Sequence, residues 1–525
     1  MRKLDQATRA KIAAVIAAHR GELERVSGFV DAAPGFRIAN GWVRREPAIV
    51  LYVHGKRPAS ELQREELAPR AIGGYPVDVA TADPLRLLAQ DGDGASLSDA
   101  SLVALTYARR RGNPIDAEFE IDRPITCHLG PDAGWPVLKQ FLEGTRNRLT
   151  AAMYDLNADY IANTLVETVR ANDVKFVLTW DSGMTGAEPA IRTDLKAKLS
   201  GRLDAWLVRT GGGYRFDSAY HEKVAVRDSR SFWLSSGNWS TRSQPEIDPI
   251  AEPSQARGMY GKGNREWHIV VDDAPLAKLF EAYIRYDRDQ SEQEATALLT
   301  GSHYAMPDLL VPIDVALGES DFALAAVQPV GPERLPTHGR SIRVQPVLCP
   351  DNYIKRIVPL IKSAQHSLYL QFSYISYSDA VGDAPFRRML DYIGGLSHRS
   401  DFDLRIIVGN NAAQEKVRKL VEAGYNESCI RVQSNVHNKG IIVDGETVLV
   451  SSANWSGAGT LRNRDAGLII YEPEIARYYQ RAFIDDWEQR ARSDFGRERP
   501  VRIAKPDEPT PPGMARMRWS DFIEG

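Results

Sequence analysis

The pattern of hydrophobic and polar positions along the chain occurs twice. The stretches "ITCHLGPDAGWPVLKQFLEGTRNRLTAAMYDLN", from residue 125, and "VQPVLCPDNYIKRIVPLIKSAQHSLYLQFSYIS", from residue 344, each predict a strand, a Pro-Asp turn, an amphipathic helix and a buried strand. The short apolar runs in "DVKFVLTWD" and "DFDLRIIVGN" then predict strands of the parallel-sheet type. Two copies of such a unit predict an α/β fold made of two duplicated α/β/α domains that are related by a pseudo-twofold axis.

The repeat also sets the expected domain boundaries. We predict a first half at residues 119–290, a linker at 291–340, a second half at 341–497 and an extended C-terminal tail at 498–525. Residues 1–118 predict a small N-terminal α/β module, with a helix over about residues 6–26 and strands in "GFRIANGWV", "PAIVLYVHG" and "YPVDVAT". This module loosely resembles one found at the front of various bacterial proteins. It contains no recognisable Ser-His-Asp set, so we interpret it as a packing or partner-binding domain.

A second level of repetition lies within the two halves. The same motif spacing occurs in two stretches, "YHEKVAVRDSRSFWLSSGNWS" (residues 220–240) and "VHNKGIIVDGETVLVSSANWS" (residues 436–456). Each motif residue of the first stretch lies 216 positions before its counterpart in the second, as residue 221 does before residue 437. "NREW" from residue 264 answers "NRDA" from residue 463 at a spacing of only 199, so the first copy carries 17 extra residues in between. This indicates duplication of a large unit and not a solenoid of short repeats.

The residue types in the motif are typical of phosphate chemistry. On a strand, His221 and Lys223 are two residues apart, so both side chains leave the same face. An imidazole can act as a nucleophile or proton carrier near neutral pH, and an ammonium supplies fixed positive charge to phosphoryl oxygens. After a second short strand in each copy, hydroxyl and amide side chains can donate to the same phosphoryl oxygens. The predicted substrate-binding residues are Ser236, Asn238, Ser452 and Asn454.

This arrangement predicts a two-step reaction at one phosphodiester. One histidine attacks phosphorus and forms a phosphohistidine, and the other protonates the leaving alcohol and then activates water. Each imidazole needs a carboxylate on its other ring nitrogen, and Glu266 and Asp465 are the candidates. Because the lysines supply the charge that a divalent ion would give, we expect no metal and no cofactor. The predicted catalytic residues are His221, Lys223, Asp228, Glu266, His437, Lys439, Asp444 and Asp465.

The two stretches resemble the HKD motifs of the phospholipase D superfamily, His-x-Lys-x4-Asp followed by a Gly/Ser-Ser-x-Asn segment, and the resemblance covers about residues 119–497. It implies one active site between two phospholipase D-like domains, with His221 as the nucleophile. It also implies that the motif aspartates support the site structurally and do not touch substrate. Ser235 and Ser451 stand where Gly is usual, and Asp465 is one methylene shorter than Glu266, which favours different roles for the two histidines.

The resemblance implies a hydrolase of phospholipid headgroup esters that contacts membrane surfaces transiently. One alternative is an EDTA-resistant nuclease acting on DNA or RNA, since "SSGNWS" and "SSANWS" are similar to nuclease-like members. Against it, 66 basic and 69 acidic residues give a net charge of -3, so no whole-protein field attracts polyanions. Another alternative is a phosphatidyl transferase of the cardiolipin-synthase type. A binding scaffold for phosphorylated ligands is disfavoured because both motifs are intact.

The remaining signals concern compartment and packing. Cys127, Cys349 and Cys429 are scattered, which argues against a disulfide framework or a zinc site and fits a reducing compartment. The N-terminal stretch lacks the features of a secretory signal, and no apolar run reaches the roughly 18 residues of a membrane span, so we expect a cytoplasmic protein. The sequence leaves the oligomeric state open.

Several neighbours of the motifs have two interpretations. Trp239 and Trp455 are expected to pack beneath the site and not to stack on substrate. Arg265 and Arg464 either bind phosphate or form ion pairs with nearby carboxylates. The extra segment of the first copy is either a substrate lid or a long loop without function.

Overall fold

The computed structural model covers the two repeated halves almost completely and the flanking segments in part. It describes residues 3–39, 41–56, 62–63, 66–82, 86–87, 107–181, 183, 187–210, 214–216, 218–297, 308–312, 328–409, 413–493, 501–505, 508–512 and 514–517. Residues 298–307 and 313–327 of the predicted linker, and much of the predicted tail, lie outside the described residues. The domain boundaries given above stay predictions.

The N-terminal module is a small sheet with a helix on one face. Helix α1 (Gln6–Ala18) begins after Asp5, whose side chain accepts a hydrogen bond from the Thr8 amide, and α2 (Arg20–Leu23) follows. The strands are β1 (Phe29–Ala39), β2 (Trp42–Val53), β3 (Ala71–Ile72) and β4 (Tyr75–Thr81), in the order β1-β2-β4-β3. The prediction of one strand over "GFRIANGWV" was wrong, because the chain reverses at Gly41, whose φ of 75° is easily adopted by glycine.

The two halves, with the predicted linker and tail, supply the remaining strands. In chain order they are β5 (Phe119–Ile121), β6 (Ile125–Gly130), β7 (Arg148–Met153), β8 (Lys175–Asp181), β9 (Leu203–Val208), β10 (Lys223–Arg227), β11 (Ser231–Ser235), β12 (Glu266–Val271), β13 (Leu309–Pro312), β14 (Glu333–Leu335), β15 (Ile342–Leu348), β16 (Ser367–Phe372), β17 (Asp403–Gly409), β18 (Ile430–Gln433), β19 (Lys439–Val443), β20 (Thr447–Ser451), β21 (Ala466–Tyr471), β22 (Arg502–Ile503) and β23 (Met514–Met517).

The helices of the two halves also correspond. The first half contains α3 (Gly134–Glu143), α4 (Asp159–Ala171), α5 (Glu188–Lys198), α6 (Met259–Lys262) and α7 (Ala274–Ala297). The second contains α8 (Tyr353–Lys362), α9 (Ala384–Leu396), α10 (Ala413–Ala423), α11 (Gly457–Leu461) and α12 (Pro473–Gln489). Among the described residues no helix combines the length and apolar character needed to cross a bilayer.

The two large sheets have matching topologies. The first has the order β14-β6-β12-β11-β10-β7-β8-β9, and the second, in the same sense, has the order β5-β15-β21-β20-β19-β16-β17-β18. The strands β7-β8-β9 and β16-β17-β18 are parallel and the other pairs are antiparallel. The predicted duplication and the mixed α/β class are confirmed. The edge strands are exchanged, because β5 opens the first half but joins the second sheet, whereas β14 joins the first.

The sheets pack face to face and carry helices on their outer faces. Strands β11 and β12 contact β19, β20 and β21 through a shared core that includes Leu234, Ile269 and Val450. The long helices α7 and α12 complete this core from the sides. Helices α3, α4 and α5 cover the outer face of the first sheet, and α8, α9 and α10 cover that of the second. The motif strands β10 and β19 therefore lie in the middle of the molecule.

The N-terminal module docks on helix α10 of the second half. Glu422 accepts hydrogen bonds from the Phe36 amide at 3.0 Å and from the Arg9 guanidinium at 2.8 Å. Arg418, almost fully buried, lies 3.3 Å from the carboxylate of Asp78. Strand β13, inside the predicted linker, pairs with β22 and β23 of the predicted tail. The flanking segments are therefore packed on one another, as the apolar residues of β13 require.

Candidate active site

The start of each motif is attached to the other half by backbone hydrogen bonds. The His221 amide donates to the Arg464 carbonyl at 2.7 Å, and the Arg464 amide donates to the Ala219 carbonyl at 3.1 Å. In the same way the His437 amide donates to the Arg265 carbonyl at 3.2 Å. These short ladders bring the first residue of each motif next to the Asn-Arg segment of the opposite copy. Both motifs therefore open into one region between the halves.

Each histidine contacts a carboxylate from the other half. Nδ1 of His221 lies 2.8 Å from Oδ1 of Asp465, and Nδ1 of His437 lies 2.7 Å from Oε1 of Glu266. All four side chains are buried. A carboxylate acceptor favours the tautomer with the proton on Nδ1, so Nε2 bears the lone pair that a nucleophile or base needs. The structure brings both predicted carboxylates into contact with the imidazoles, and the pairing crosses between the copies.

The serine hydroxyls have a different role from the predicted one. The Ser452 hydroxyl donates to Asp465 at 2.8 Å, and the Ser236 hydroxyl donates to Glu266 at 2.5 Å. A hydroxyl has one proton, and here that proton is directed at the carboxylate that supports a histidine. The assignment of Ser236 and Ser452 as substrate-binding donors is therefore corrected. They position Glu266 and Asp465.

The lysines are buried beside the histidines. Lys223 Nζ donates to the His221 carbonyl at 2.8 Å and lies 5.2 Å from the ring centre of Tyr154. Lys439 Nζ donates to the His437 carbonyl and lies 3.5 Å from the Ser236 carbonyl. Both ammonium groups depress the pKa of His221. The two cations therefore act on the same small volume as the imidazoles, as a phosphate site requires.

The two asparagines differ in their local contacts. Oδ1 of Asn454 accepts a hydrogen bond from the Ser373 hydroxyl at 2.8 Å, which fixes the orientation of its amide. Within the described part of the chain, Nδ2 of Asn454 and Oδ1 of Asn238 have no hydrogen-bond partner although both are buried. Buried polar atoms are normally paired, so these two are candidates for contacts with a bound molecule. The assignment of Asn238 and Asn454 as substrate-binding residues stays a prediction.

The electrostatics of the two pairs differ. Burial, helped by Lys223 and Lys439, lowers the pKa of His221 well below its usual value, and burial raises the pKa of Asp465 to about 7. Burial also lowers the pKa of His437, but Glu266 opposes this effect. For Glu266 the raising effect of burial is outweighed by His437 and Lys439, so its pKa falls to about 2. Only the second pair therefore has a fully ionised carboxylate at neutral pH.

The chain is similar in sequence to known proteins over part of its length. Residues 357–487 match the family model described as "Cardiolipin synthase, PLD-like domain". The mitochondrial cardiolipin hydrolase of Xenopus laevis is 29% identical over 161 residues, which cover 28% of this chain and 71% of that protein. Cardiolipin synthase 2 of Staphylococcus epidermidis is 28% identical over 137 residues, covering 24% of this chain and 26% of that one. The chain belongs to the phospholipase D superfamily.

Comparisons with solved structures give further matches that differ in extent. Phosphatidylserine synthase of Haemophilus influenzae Rd KW20 aligns over 71% of this chain and 90% of its own, with 11% identity and a TM-score of 0.44. The phospholipase D family member Nuc of Salmonella typhimurium aligns over 28% of this chain and 95% of its own, with 22% identity and a TM-score of 0.22.

The HKD aspartates lie at the far end of the motif strands. Asp228 accepts backbone hydrogen bonds from Asn147 at 2.7 Å and Arg148 at 2.9 Å, and Asp444 accepts from His366 and Ser367 at 2.8 and 2.7 Å. Both adopt a φ of 53°, which the turn between the paired strands requires. Their inclusion among the catalytic residues is therefore corrected. They fix the turn at the start of β7 and β16, as the superfamily resemblance implies.

Arg265 and Arg464, which precede Glu266 and Asp465, form ion pairs with buried aspartates. Arg265 is fully buried between Asp132, at 2.6 Å, and Asp486, at 2.8 Å. Arg464 is buried in the same way between Asp351 and Asp287, each at 2.6 Å. The Tyr260 hydroxyl also contacts Arg265, and the Tyr107 hydroxyl contacts Arg464. The ion-pair alternative is confirmed for both. These clusters anchor the Asn-Arg segments that carry the HKD-supporting carboxylates.

The tryptophans and the extra segment contribute to packing around this phospholipase D-type site. Trp239 and Trp455 are completely buried and pair with Leu156 and Ile375, as expected for residues beneath the site. In the extra segment the Tyr260 carbonyl accepts a hydrogen bond from Asn435, two residues before His437. The segment is therefore attached to the entry of the second motif.

Two residues near the site were not predicted. Ser243 lies in the extra segment and donates to Oε1 of Glu266 at 2.9 Å, and the ring of Tyr154 packs edge-on against His221 at 4.8 Å. Neither repeats in the second copy, so the duplication gave no signal for them. Ser373 occupies the position equivalent to Tyr154, after β16, and this difference makes the two sides of the site chemically unequal.

Proposed function

We propose that the protein is a metal-independent phosphodiesterase of the phospholipase D type that hydrolyses headgroup esters of glycerophospholipids through a phosphohistidine on His221. The observation that supports this most directly is the crossed pair of His–carboxylate contacts, His221 with Asp465 and His437 with Glu266. Two imidazoles with the same tautomer and two buried ammonium groups in one site are the set that a two-step displacement at phosphorus needs.

His221 is the nucleophile in this proposal. Its depressed pKa keeps the imidazole neutral at physiological pH, and the contact with Asp465 places the lone pair on Nε2. In the first step Nε2 forms a bond to phosphorus, and the bond from phosphorus to the headgroup oxygen breaks. The lysines stabilise the charge that develops on the phosphoryl oxygens.

His437 is the general acid and then the general base. The ionised Glu266 favours a proton on the His437 imidazole, and this proton goes to the oxygen of the leaving headgroup alcohol. In the second step His437 accepts a proton from water, the water oxygen bonds to phosphorus, and the P–N bond to His221 breaks. Phosphatidic acid leaves, and the residues return to their starting protonation states.

The substrate class we propose is an anionic lipid whose headgroup is a glycerol-type alcohol. The family model and the curated relatives carry the names cardiolipin synthase and cardiolipin hydrolase, which supports a glycerol headgroup ester over a choline one. Transfer to a second lipid alcohol uses the same phosphohistidine, with the alcohol in the place of water. The products therefore have to separate hydrolysis from transfer.

The test is a substrate panel in excess EDTA. Vesicles of phosphatidylglycerol, cardiolipin or phosphatidylcholine are incubated with wild type, His221→Ala and His437→Ala, and phosphatidic acid and freed alcohol are measured. We expect phosphatidic acid from the glycerol-bearing lipids and at least about a 10³-fold slower release by either variant. Single- and double-stranded DNA and RNA are tested in parallel. Intact lipids with degraded nucleic acid would overturn the proposal in favour of a nuclease, and cardiolipin formed from phosphatidylglycerol without phosphatidic acid would establish a transferase.

A further inference from the structure

One buried histidine near the site belongs to the first half alone. His268 follows Glu266 by two residues on β12, and its side chain is fully buried. The equivalent position of the second half, two residues after Asp465, is Gly467. A duplicated fold that accepts glycine here does not need an imidazole for its architecture. The presence of the ring in only one half therefore calls for a local explanation.

The near side of the ring holds a serine. Nδ1 of His268 lies 2.6 Å from the Ser235 hydroxyl, and this hydroxyl oxygen accepts the Gly237 amide at 2.7 Å and lies 3.0 Å from the Gly237 carbonyl. Ser235 is one of the two positions at which glycine is usual in the superfamily motif. The imidazole and the hydroxyl thus form a short chain that ends on both backbone groups of Gly237.

Gly237 in turn is packed against the catalytic carboxylate. A Cβ built on Gly237 would lie 2.6 Å from Cδ and from Oε1 of Glu266, so the carboxylate rests on the bare backbone of the glycine. The same Oε1 accepts the Ser243 hydroxyl and contacts Nδ1 of His437 at 2.7 Å. A shift of this backbone by a few tenths of an ångström would move the carboxylate that supports His437.

We propose that His268 is a positioning residue that acts through Ser235 and Gly237 to hold the Glu266 carboxylate against His437. This inference rests on the proposed function, because it assigns His268 to the general-acid half of that reaction. The inference goes beyond the proposed function because it assigns the first half a residue that positions Glu266, whereas the second half has Gly467 at the equivalent position.

The far side of the ring shows that the position is built around an imidazole. A Cβ on Gly130 or Gly134 would come within 3.1 or 3.4 Å of Nε2, so the two glycines make room for it. Nε2 has no hydrogen-bond partner in the described part of the chain, and neither ring nitrogen of His128, which stacks on it at 4.8 Å, has one either. Among the described residues the hydrogen bonding of the His268 ring is therefore confined to Nδ1, on the side of Ser235.

His268 acts through its hydrogen bond and not through charge. It is faced by His128 on β6 and by Arg265 and Glu266 on its own segment, and burial lowers its pKa to about 4 although Glu266 opposes this. The imidazole is therefore neutral across the physiological range. What it transmits is the position of Gly237 and of the carboxylate beside it.

Loss of the His268 hydrogen bond to Ser235 is expected to lower the affinity of the His437 imidazole for its proton. His437 is faced by Glu266, which favours the proton, and by Lys439 and Lys223, which disfavour it. When Glu266 is less well placed, the lysines dominate and the imidazole releases its proton more readily. The alkaline limb of the pH–rate profile, which reports the general acid, then moves to lower pH.

The test compares two amide variants. The side chain of His268→Asn places an amide group near the position of Nδ1 and can still bond to Ser235, whereas the longer side chain of His268→Gln extends its amide toward the position of Nε2. We expect His268→Asn to keep the wild-type profile, and His268→Gln and His268→Ala to shift the alkaline limb down by about one pH unit with KM unchanged. His128→Val, which introduces the residue of the second half (Val347), serves as the matched control and should not shift the limb.

A second readout does not depend on turnover. The titration of the His437 ring is followed by NMR in protein labelled with ¹³C-histidine, for wild type and for the same variants. The ring should titrate at lower pH in His268→Gln than in His268→Asn. If the His437 ring titrates at the same pH in His268→Asn and His268→Gln, the inference is wrong. This comparison does not need His268→Ala to fold. If the wild type cleaves no phosphodiester, the proposed function fails, and the NMR comparison still decides the role of His268.

Discussion

Nδ1 of His221 lies 2.8 Å from Oδ1 of Asp465, a residue of the other half of the chain, and His437 contacts Glu266 in the same crossed manner. The two contacts are alike in geometry and unlike in charge, because the pKa of Asp465 is raised to about 7 and that of Glu266 is lowered to about 2. A carboxylate that is partly protonated at neutral pH orients its histidine, and an ionised one also holds a proton on it.

The two carboxylates should therefore differ in their contribution to the rate. We expect Glu266→Gln to lower kcat at pH 7 by about 10²–10⁴, since a neutral amide no longer favours the protonated general acid. Asp465→Asn should cost only about tenfold, because the amide oxygen still accepts from Nδ1 and little charge is lost. Steady-state kinetics on phosphatidylglycerol vesicles measures both. Equal losses would contradict the unequal roles.

The leaving group separates the two histidines. A p-nitrophenyl phosphodiester releases an oxygen that needs no proton, so His437→Ala should still form the phosphohistidine from it, with a burst of p-nitrophenol and slow turnover. His221→Ala should give no burst with any leaving group. Quenched-flow measurement of p-nitrophenol and detection of the acid-labile phosphoprotein test this pair. A phosphohistidine in His221→Ala would reverse the assignment.

The free energy of unfolding should also depend on the protonation state of Asp465. Its pKa is about 7 in the folded protein and ordinarily 3.8, so between these values the folded state binds the proton and the unfolded state does not. Stability from this residue therefore falls as the pH rises from about 4 to about 7. Asp465→Asn removes this loss, and its free energy of unfolding relative to wild type should improve with rising pH over that interval in urea titrations.

For Glu266→Gln we expect the stability difference from wild type to change with pH in the opposite direction. The pKa of Glu266 is lowered to about 2 from 4.5, so its contribution is fully present above about pH 4.5 and disappears as the pH falls toward 2. The variant should be less stable than wild type at neutral pH and approach it in acid. Parallel pH dependence of the two variants would contradict the opposite shifts of their pKa values.

Substitution of an arginine in a buried cluster should lower the free energy of unfolding far more than substitution of an exposed arginine. Arg464→Ala leaves Asp287 and Asp351 buried without their cation, for which we expect a loss of about 3–5 kcal/mol in the free energy of unfolding. The control is Arg477→Ala, which removes an exposed ion pair with Glu446 and should change stability by less than about 1 kcal/mol. Chemical denaturation measures both, and similar losses would show that the cluster is not a main support of the site.

The sequence predicts the duplication well because it is recorded in long hydrophobic runs and in motif residues 216 positions apart. It does not predict the exchange of β5 and β14, since strands of three residues have no recognisable pattern and their partners lie on the other sheet. It locates the motif histidines, lysines and asparagines but misassigns Ser236, because a hydroxyl beside a reactive residue donates in whichever direction the fold provides an acceptor. His268 and Ser243 give no signal, since neither is repeated.

The crossing of the carboxylates makes each half dependent on the other for a working imidazole. Two identical subunits arranged about a true dyad would satisfy this dependence, but every change in one would then appear in both. Joining the copies in one chain removes that constraint. Glu266 and Asp465 can then differ, and one flank can acquire Tyr154 while the other acquires Ser373. Covalent linkage thus permits a division of labour that a symmetric pair of separate subunits could not evolve.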